Sequence, residues 1–186
     1  MLIQMLVQQP RMLGPVLQAT PPWVWFLAAG LAALGLSQLR TREVTARRMA
    51  FVPVAMGLFS LWGLAGSFGH SPDFASAFAL WAGCALLALG AMLALGAPAG
   101  ARYDAAGGRF RLPGSVWPLL LIAAIFLVKY VVGVELAMRP ALALDTDYLM
   151  GVAALYGLFS GLFAGRSARL WRLTAPATGL LQRDPW

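Results

Sequence analysis

The 186-residue chain is 60% hydrophobic and only 11% charged, with a mean hydropathy of +0.74. A water-soluble domain carries about 25% charged residues, so a water-facing surface is excluded and a polytopic membrane protein is the default. The formal charge is +7, yet its basic residues fall in short clusters between apolar runs. That pattern encodes membrane topology rather than a nucleic-acid-binding face.

One cysteine, Cys84, and one histidine, His70, are present. Alone, they exclude an intrachain disulfide and a Cys- or His-rich metal site. No cofactor is expected. Cys84 reads as a small buried hydrophobe and His70 as a polar turn residue.

Residues 1–20 are apolar but broken by Pro10, Gly14 and Pro15, and by Gln4, Gln8, Gln9, Arg11 and Gln18. The only basic side chain follows the apolar core, the reverse of a secretory signal. An uncleaved segment lying in the membrane interface is expected, with a short helix over 2–9.

Pro21 and Pro22 open the first predicted span, 23–39, since proline is tolerated in a first helical turn. Trp23 and Trp25 are placed like an aromatic belt. The second span covers 49–69, with Pro53 near its start and Gly63, Gly66 and Ser67 thinning its later half. The turn around His70 and Asp73 carries no lysine or arginine. The third span, 74–95, shows a small-residue stripe at Ala75, Ala79 and Gly83, and the Gly/Pro-rich run at 96–100 closes it.

Residues 102–112 read as two short extended arms around Gly107-Gly108. Arg109 and Arg111 alternate with Phe110 and Leu112, giving one cationic and one apolar face. An isolated two-stranded hairpin is marginal in water, so neighbouring loops or the membrane surface are expected to support it.

The fourth span is Trp117–Met138 and the fifth is 148–165. In the fifth, Gly157, Gly161 and Gly165 repeat at four-residue spacing, which lets another helix approach closely where lipid supplies no hydrophobic drive. Gly57-Leu58-Phe59-Ser60 in the second span recurs as Gly157-Leu158-Phe159-Ser160 in the fifth. An inverted repeat and coincidence in a Gly/Leu/Phe-rich chain both account for it.

Five spans give an all-α helix bundle with a short cytoplasmic hairpin-like loop. Domain limits are an interfacial segment at 1–20, the five-span domain at 21–173 and a cytoplasmic tail at 174–186. Loops after the first and third spans, together with the tail, hold four, three and four arginines. The other side holds only Arg11 and Arg139. The positive-inside rule then predicts a periplasmic N-terminus and a cytoplasmic C-terminus. Arg40, Arg42, Arg47, Arg48, Arg109, Arg111, Arg166, Arg169 and Arg172 are the expected topology determinants and contacts to anionic lipid.

Lys129 is the sharpest candidate. It lies about 16 Å from Pro118 along a helix, near the bilayer midplane, where a lysine costs about 2.5–3.5 kcal/mol. Glu135 is six residues on and off its face, because intrahelical pairs need three- or four-residue spacing. Glu135 itself reads as solvated near the outer surface. Tyr130 points elsewhere, and Tyr156 of the fifth span is in a position to offer a hydroxyl. Lys129, Tyr130, Glu135 and Tyr156 are thus the candidate intramembrane residues. Lys129 is either a titrating or substrate-binding group or a peg between helices or subunits. Phosphate-loop, HExxH, GxSxG and Cys/His metal motifs are missing from the sequence, and no catalytic constellation emerges.

Tyr103-Asp104, Gly108-Arg109-Phe110, Pro113-Gly114-Ser115, Pro118-Leu119, Phe126 and Lys129-Tyr130 resemble a pattern in an uncharacterised family of small proteobacterial inner-membrane proteins. The general layout is distantly similar to CcdC-like proteins, named for cytochrome c biogenesis. The resemblance spans about 21–173, with the segment before Pro21 as a departure, and implies a multi-span inner-membrane protein without an assigned activity. The leading functional expectation is a non-enzymatic accessory or assembly subunit, packing through its glycine faces with a partner or a second copy. The alternative is a small transporter or proton-coupled carrier using Lys129; an enzyme comes third.

Overall fold

The computed structural model describes residues 20–95, 101–104 and 107–172, with Gly14 and Gln18 as helical positions before them. The expected interfacial helix at 2–9, the run at 96–100 and the tail from 173 onward lie outside the described residues. In chain order the elements are α1 (Pro22–Ser37), β1 (Arg42–Thr45), α2 (Ala46–Phe68), α3 (Phe74–Ala94), β2 (Arg102–Asp104), β3 (Arg109–Leu112), α4 (Trp117–Met138), a 3₁₀ turn (Pro140–Leu144) and α5 (Thr146–Trp171). Four of these, α2 to α5, are long and apolar enough to cross a membrane, and α1 is a shorter apolar helix. The chain is mostly helical, and its apolar helices are compatible with a membrane protein.

Two helices depart from their predicted limits. α2 begins at Ala46, so Pro53 falls inside the helix rather than in its first turn. α5 runs six residues past Gly165, to Trp171. It continues because Leu170, only 1% exposed, packs into a cluster with Met49, Phe110 and Leu112. Its start is fixed by Asp145, whose carboxylate accepts from the Tyr148 N–H at 2.8 Å, relieving one unpaired amide of the first turn.

The tightest contact is the seam between α3 and α5. Gly157 lies against the Trp81 carbonyl, Gly161 against the Ala85 carbonyl and Ala88, and Gly165 against Met92. The glycine spacing therefore serves packing within the chain, and the outer stripe of Ala75, Ala79 and Gly83 faces away from it, exposed. α2 and α4 join α5 around a core of Leu64, Phe68, Val132, Leu149, Val152 and Tyr156.

α1 packs along α4. Gly35 sits on Leu119, and Gly114 admits the backbone of Leu39. The Ser115 N–H donates to the Gln38 carbonyl at 3.0 Å. Farther along, the Thr20 and Tyr130 hydroxyls are 2.8 Å apart. Gly114 and Ser115 thus tie the end of α1 to the start of α4.

The two predicted arms pair, and the loop after α1 adds a third strand, giving the order β1-β3-β2. β3 is central and antiparallel to both neighbours, with Val44 opposite Phe110 and Tyr103 opposite Phe110. Gly108, at φ 59°, makes the turn, a conformation that favours glycine. Phe110 and Leu112 are buried while Arg109 and Arg111 are exposed. This small sheet enlarges the expected hairpin by one strand in a chain that is otherwise helical. The loops after α1 and α3 and the end of α5 converge here, so the clustered arginine positions share one end of the molecule. The opposite end carries Asp73, Asp145 and Asp147, and there Thr146 donates to Asp73 at 2.5 Å.

A lysine in a groove between helix pairs

α4 meets α2 and α5 around Val132, and toward the sheet end the α1–α4 pair parts from them, leaving a groove of about 1040 Å³. Its walls are apolar side chains such as Leu31, Met49, Val52, Met56, Ile122 and Phe163. At the sheet end it is bordered by Gln38, Glu43, Arg48 and Arg166, and Thr20 lies along it as well. The Glu43 carboxylate pairs with Arg109 at 3.3 Å. Among the other expected topology arginines, Arg172 donates to the Leu93 carbonyl at 2.7 Å, answering a carbonyl left over at the end of α3.

Lys129 stands just past the middle of the 22-residue α4 and lines this groove. Its Nζ lies 4.6 Å from the ring centre of Phe59 on α2 and 4.4 Å from that of Tyr156 on α5. Gly63 makes the room: a Cβ there would sit 2.7 Å from Nζ. Among the described residues, no carboxylate or hydrogen-bond acceptor is bonded to the ammonium. A desolvated cation–π contact contributes about 2 kcal/mol, so two rings offset a burial cost of about 2.5–3.5 kcal/mol. The lysine is held by ring faces, and the Tyr156 contact uses the ring rather than the hydroxyl expected from the sequence.

The rings are themselves positioned. The Ser160 hydroxyl donates to the Tyr156 carbonyl at 2.8 Å, and the Ser60 hydroxyl reaches the same oxygen at 3.4 Å. The Trp81 indole N–H donates to Ser60 at 3.2 Å. The two Gly-Leu-Phe-Ser runs therefore meet at one backbone carbonyl. Beside Lys129 they enclose a niche of about 20 Å³, lined by Phe59, Ser60, Phe159 and Ser160, room for about one water molecule. Both serine hydrogens are engaged, so the niche presents oxygen lone pairs.

The other candidates are distributed differently. Tyr130 lines the same groove, with its ring stacked on Phe126 at 6.2 Å and its hydroxyl on Thr20. Glu135 is 9% exposed, which corrects the expectation of a solvated carboxylate. It faces Tyr148 of α5, on the core side of α4 where Val132 and Leu136 pack. Among the described residues, the buried Tyr148 hydroxyl has no hydrogen-bond partner. Lys129 and Tyr156 come together, whereas Tyr130 and Glu135 serve separate contacts. Phe59 and Gly63 went unrecognised as site residues. Their signal was faint: a phenylalanine and a glycine four residues apart on one face of a helix.

No curated protein and no solved structure matches the chain. One family model matches residues 1–178. It therefore takes in the segment before Pro21, which the resemblance had left aside as a departure. The chain belongs to this family, DUF6622, a family of unknown function.

Proposed function

We propose that this chain is a non-enzymatic membrane protein that takes up a lipophilic ligand in the groove beside Lys129, as a small transporter or carrier. The observation carrying this reading is the position of the ammonium. It stands at mid-height on a wide apolar groove, held by two rings and with no anion bonded to it among the described residues. A peg between helices would be closed over by its partners. Here the groove beside it has the volume of a large ligand pocket, for which about 300–1,000 Å³ is usual.

In this reading α1 is the fifth span. Its 16 residues cover about 24 Å, short of a hydrocarbon core of about 30 Å, so local thinning or flanking residues complete the crossing. The N-terminus is then periplasmic and the C-terminus and sheet are cytoplasmic in a bacterial inner membrane, which an odd number of spans and the arginine-rich sheet end support by the positive-inside rule. There the arginines contact anionic lipid. Reporter fusions test this threading; a periplasmic C-terminus overturns it.

The carrier reading is tested on protein extracted in mild detergent. Wild type should retain a non-protein amphiphile near one per chain by mass spectrometry. Lys129→Met, folded as judged by its melting curve, should retain at least tenfold less. Wild-type protein that retains none refutes the reading.

A second reading, an accessory or assembly subunit, is favoured by one observation. The Ala75, Ala79 and Gly83 stripe of α3 is exposed, and a Cβ at Gly83 would meet nothing within 4 Å. A partner helix recovered in stoichiometric amount and displaced by Gly83→Leu would establish it.

A further inference from the structure

We propose that the ligand of the groove is a long-chain carboxylate, a single-chain amphiphile whose head group binds the Lys129 ammonium. This inference rests on the carrier reading and names its substrate class.

Charge complementarity selects an anion. The cations on the groove are Lys129 at mid-height and Arg48 and Arg166 at the sheet end. Glu43 is the lining carboxylate, and it lies at the edge in an ion pair with Arg109. Glu135, the next carboxylate along α4, faces Tyr148 instead. An ammonium has three donors; contacts to Phe59 and Tyr156 leave one for an acceptor arriving from the groove. An anion must arrive from that side, because the Ser60 and Ser160 oxygens in the niche present only lone pairs, which repel it.

A single ammonium matches a single negative charge. A phosphate monoester carries up to two charges and calls for several donors, which mid-height does not provide. The rest of the ligand must be apolar. From Tyr156 to Arg166 is about 15 Å along α5, and the facing wall over that length is Met49, Val52, Met56, Ile122 and Phe163. A hydrocarbon chain lies along this wall without leaving a polar group unpaired. The ligand enters from the bilayer, since the groove runs between the α1–α4 pair and α2, beside the exposed outer face of α2 that carries Phe51, Val54 and Trp62.

The test compares three single-chain probes on the full-length protein in phosphatidylcholine nanodiscs: oleate, oleyl alcohol and oleoyl lysophosphatidate. Binding is read by native mass spectrometry and by quenching of Trp23, which lines the groove, with brominated analogues. Oleate should bind at least tenfold more tightly than oleyl alcohol to the wild-type protein, a comparison needing no variant. Lys129→Met should bring oleate down to the level of the alcohol, and Lys129→Arg should keep the preference. Equal binding of oleate and alcohol overturns the carboxylate while leaving a lipophile-binding groove. Tighter binding of lysophosphatidate overturns it in favour of a phosphate head. Binding of none of the three overturns both this inference and the carrier reading.

Discussion

The α3–α5 seam and the α1–α4/α2–α5 groove are built from equally apolar helices, yet one is closed and the other open. At the seam, glycines at 157, 161 and 165 bring α5 onto the backbone carbonyls of α3. Across the groove, bulky residues such as Met56, Phe59, Ile125 and Phe163 face one another and keep the backbones apart. In lipid, association is driven by packing rather than by hydrophobicity, so side-chain size decides which pairs of helices close. The fold is a tight α3–α5 core with α2 against it and α4 joined to it around Val132, its pair with α1 parting from the core toward the sheet end. Lys129 occupies the gap.

The largest effect is expected at the seam. In Gly161→Leu the new Cβ would collide with the Ala85 carbonyl and lie 2.7 Å from Ala88 Cβ. Overpacking costs about 1–3 kcal/mol when side chains can yield; backbone cannot, so the loss should exceed about 3 kcal/mol. Thermal denaturation in detergent should show little folded material. A melting temperature unchanged from wild type would mean that the seam is not what holds the bundle.

Next in size is a paired substitution of one chemistry in both regions. Phe68 is 1% exposed in the α2–α5 core, whereas Phe59 is 55% exposed on the groove. Phe68→Ala should cost about 3 kcal/mol, the lower end of the range for a buried phenylalanine. Phe59→Ala should cost about 2 kcal/mol, mostly its cation–π contact with Lys129, while weakening retention of the ligand. Equal losses of stability from the two would show that the groove is packed shut in the membrane.

Much of the architecture was legible in the sequence because apolar run length reports on the long helices and arginine clustering on the loops that gather at the sheet end. The hairpin arms were legible through the Gly107-Gly108 turn and the alternation of Arg109 to Leu112. The third strand was not: Arg42 to Thr45 carries only one apolar residue, Val44, and pairs because β3 offers a free edge. Lys129 was legible as an isolated charge at depth. Its surroundings were not, since ring faces at Phe59 and Tyr156 come from two other helices and a cation–π contact leaves no spacing signature. Glu135 shows the same limit. Position along a helix gave its depth but not the face that α5 would cover.

The smallest effect concerns the charge pair beside the groove. Glu43 and Arg109 are 56% and 57% exposed, and such pairs contribute about 0.2–1 kcal/mol. Glu43→Gln should change stability by less than about 0.5 kcal/mol, because β1 is held by the ladder running from Arg42–Leu112 to Thr45–Arg109. The same substitution removes a carboxylate from the groove lining, so oleate binding should be retained or strengthened while the fold is untouched. A loss of more than about 1 kcal/mol would instead assign the sheet's attachment to this ion pair. Weaker oleate binding in a stable Glu43→Gln protein would mean that this carboxylate orders the sheet end of the groove, and that the charge of the groove is not simply the sum of its cations.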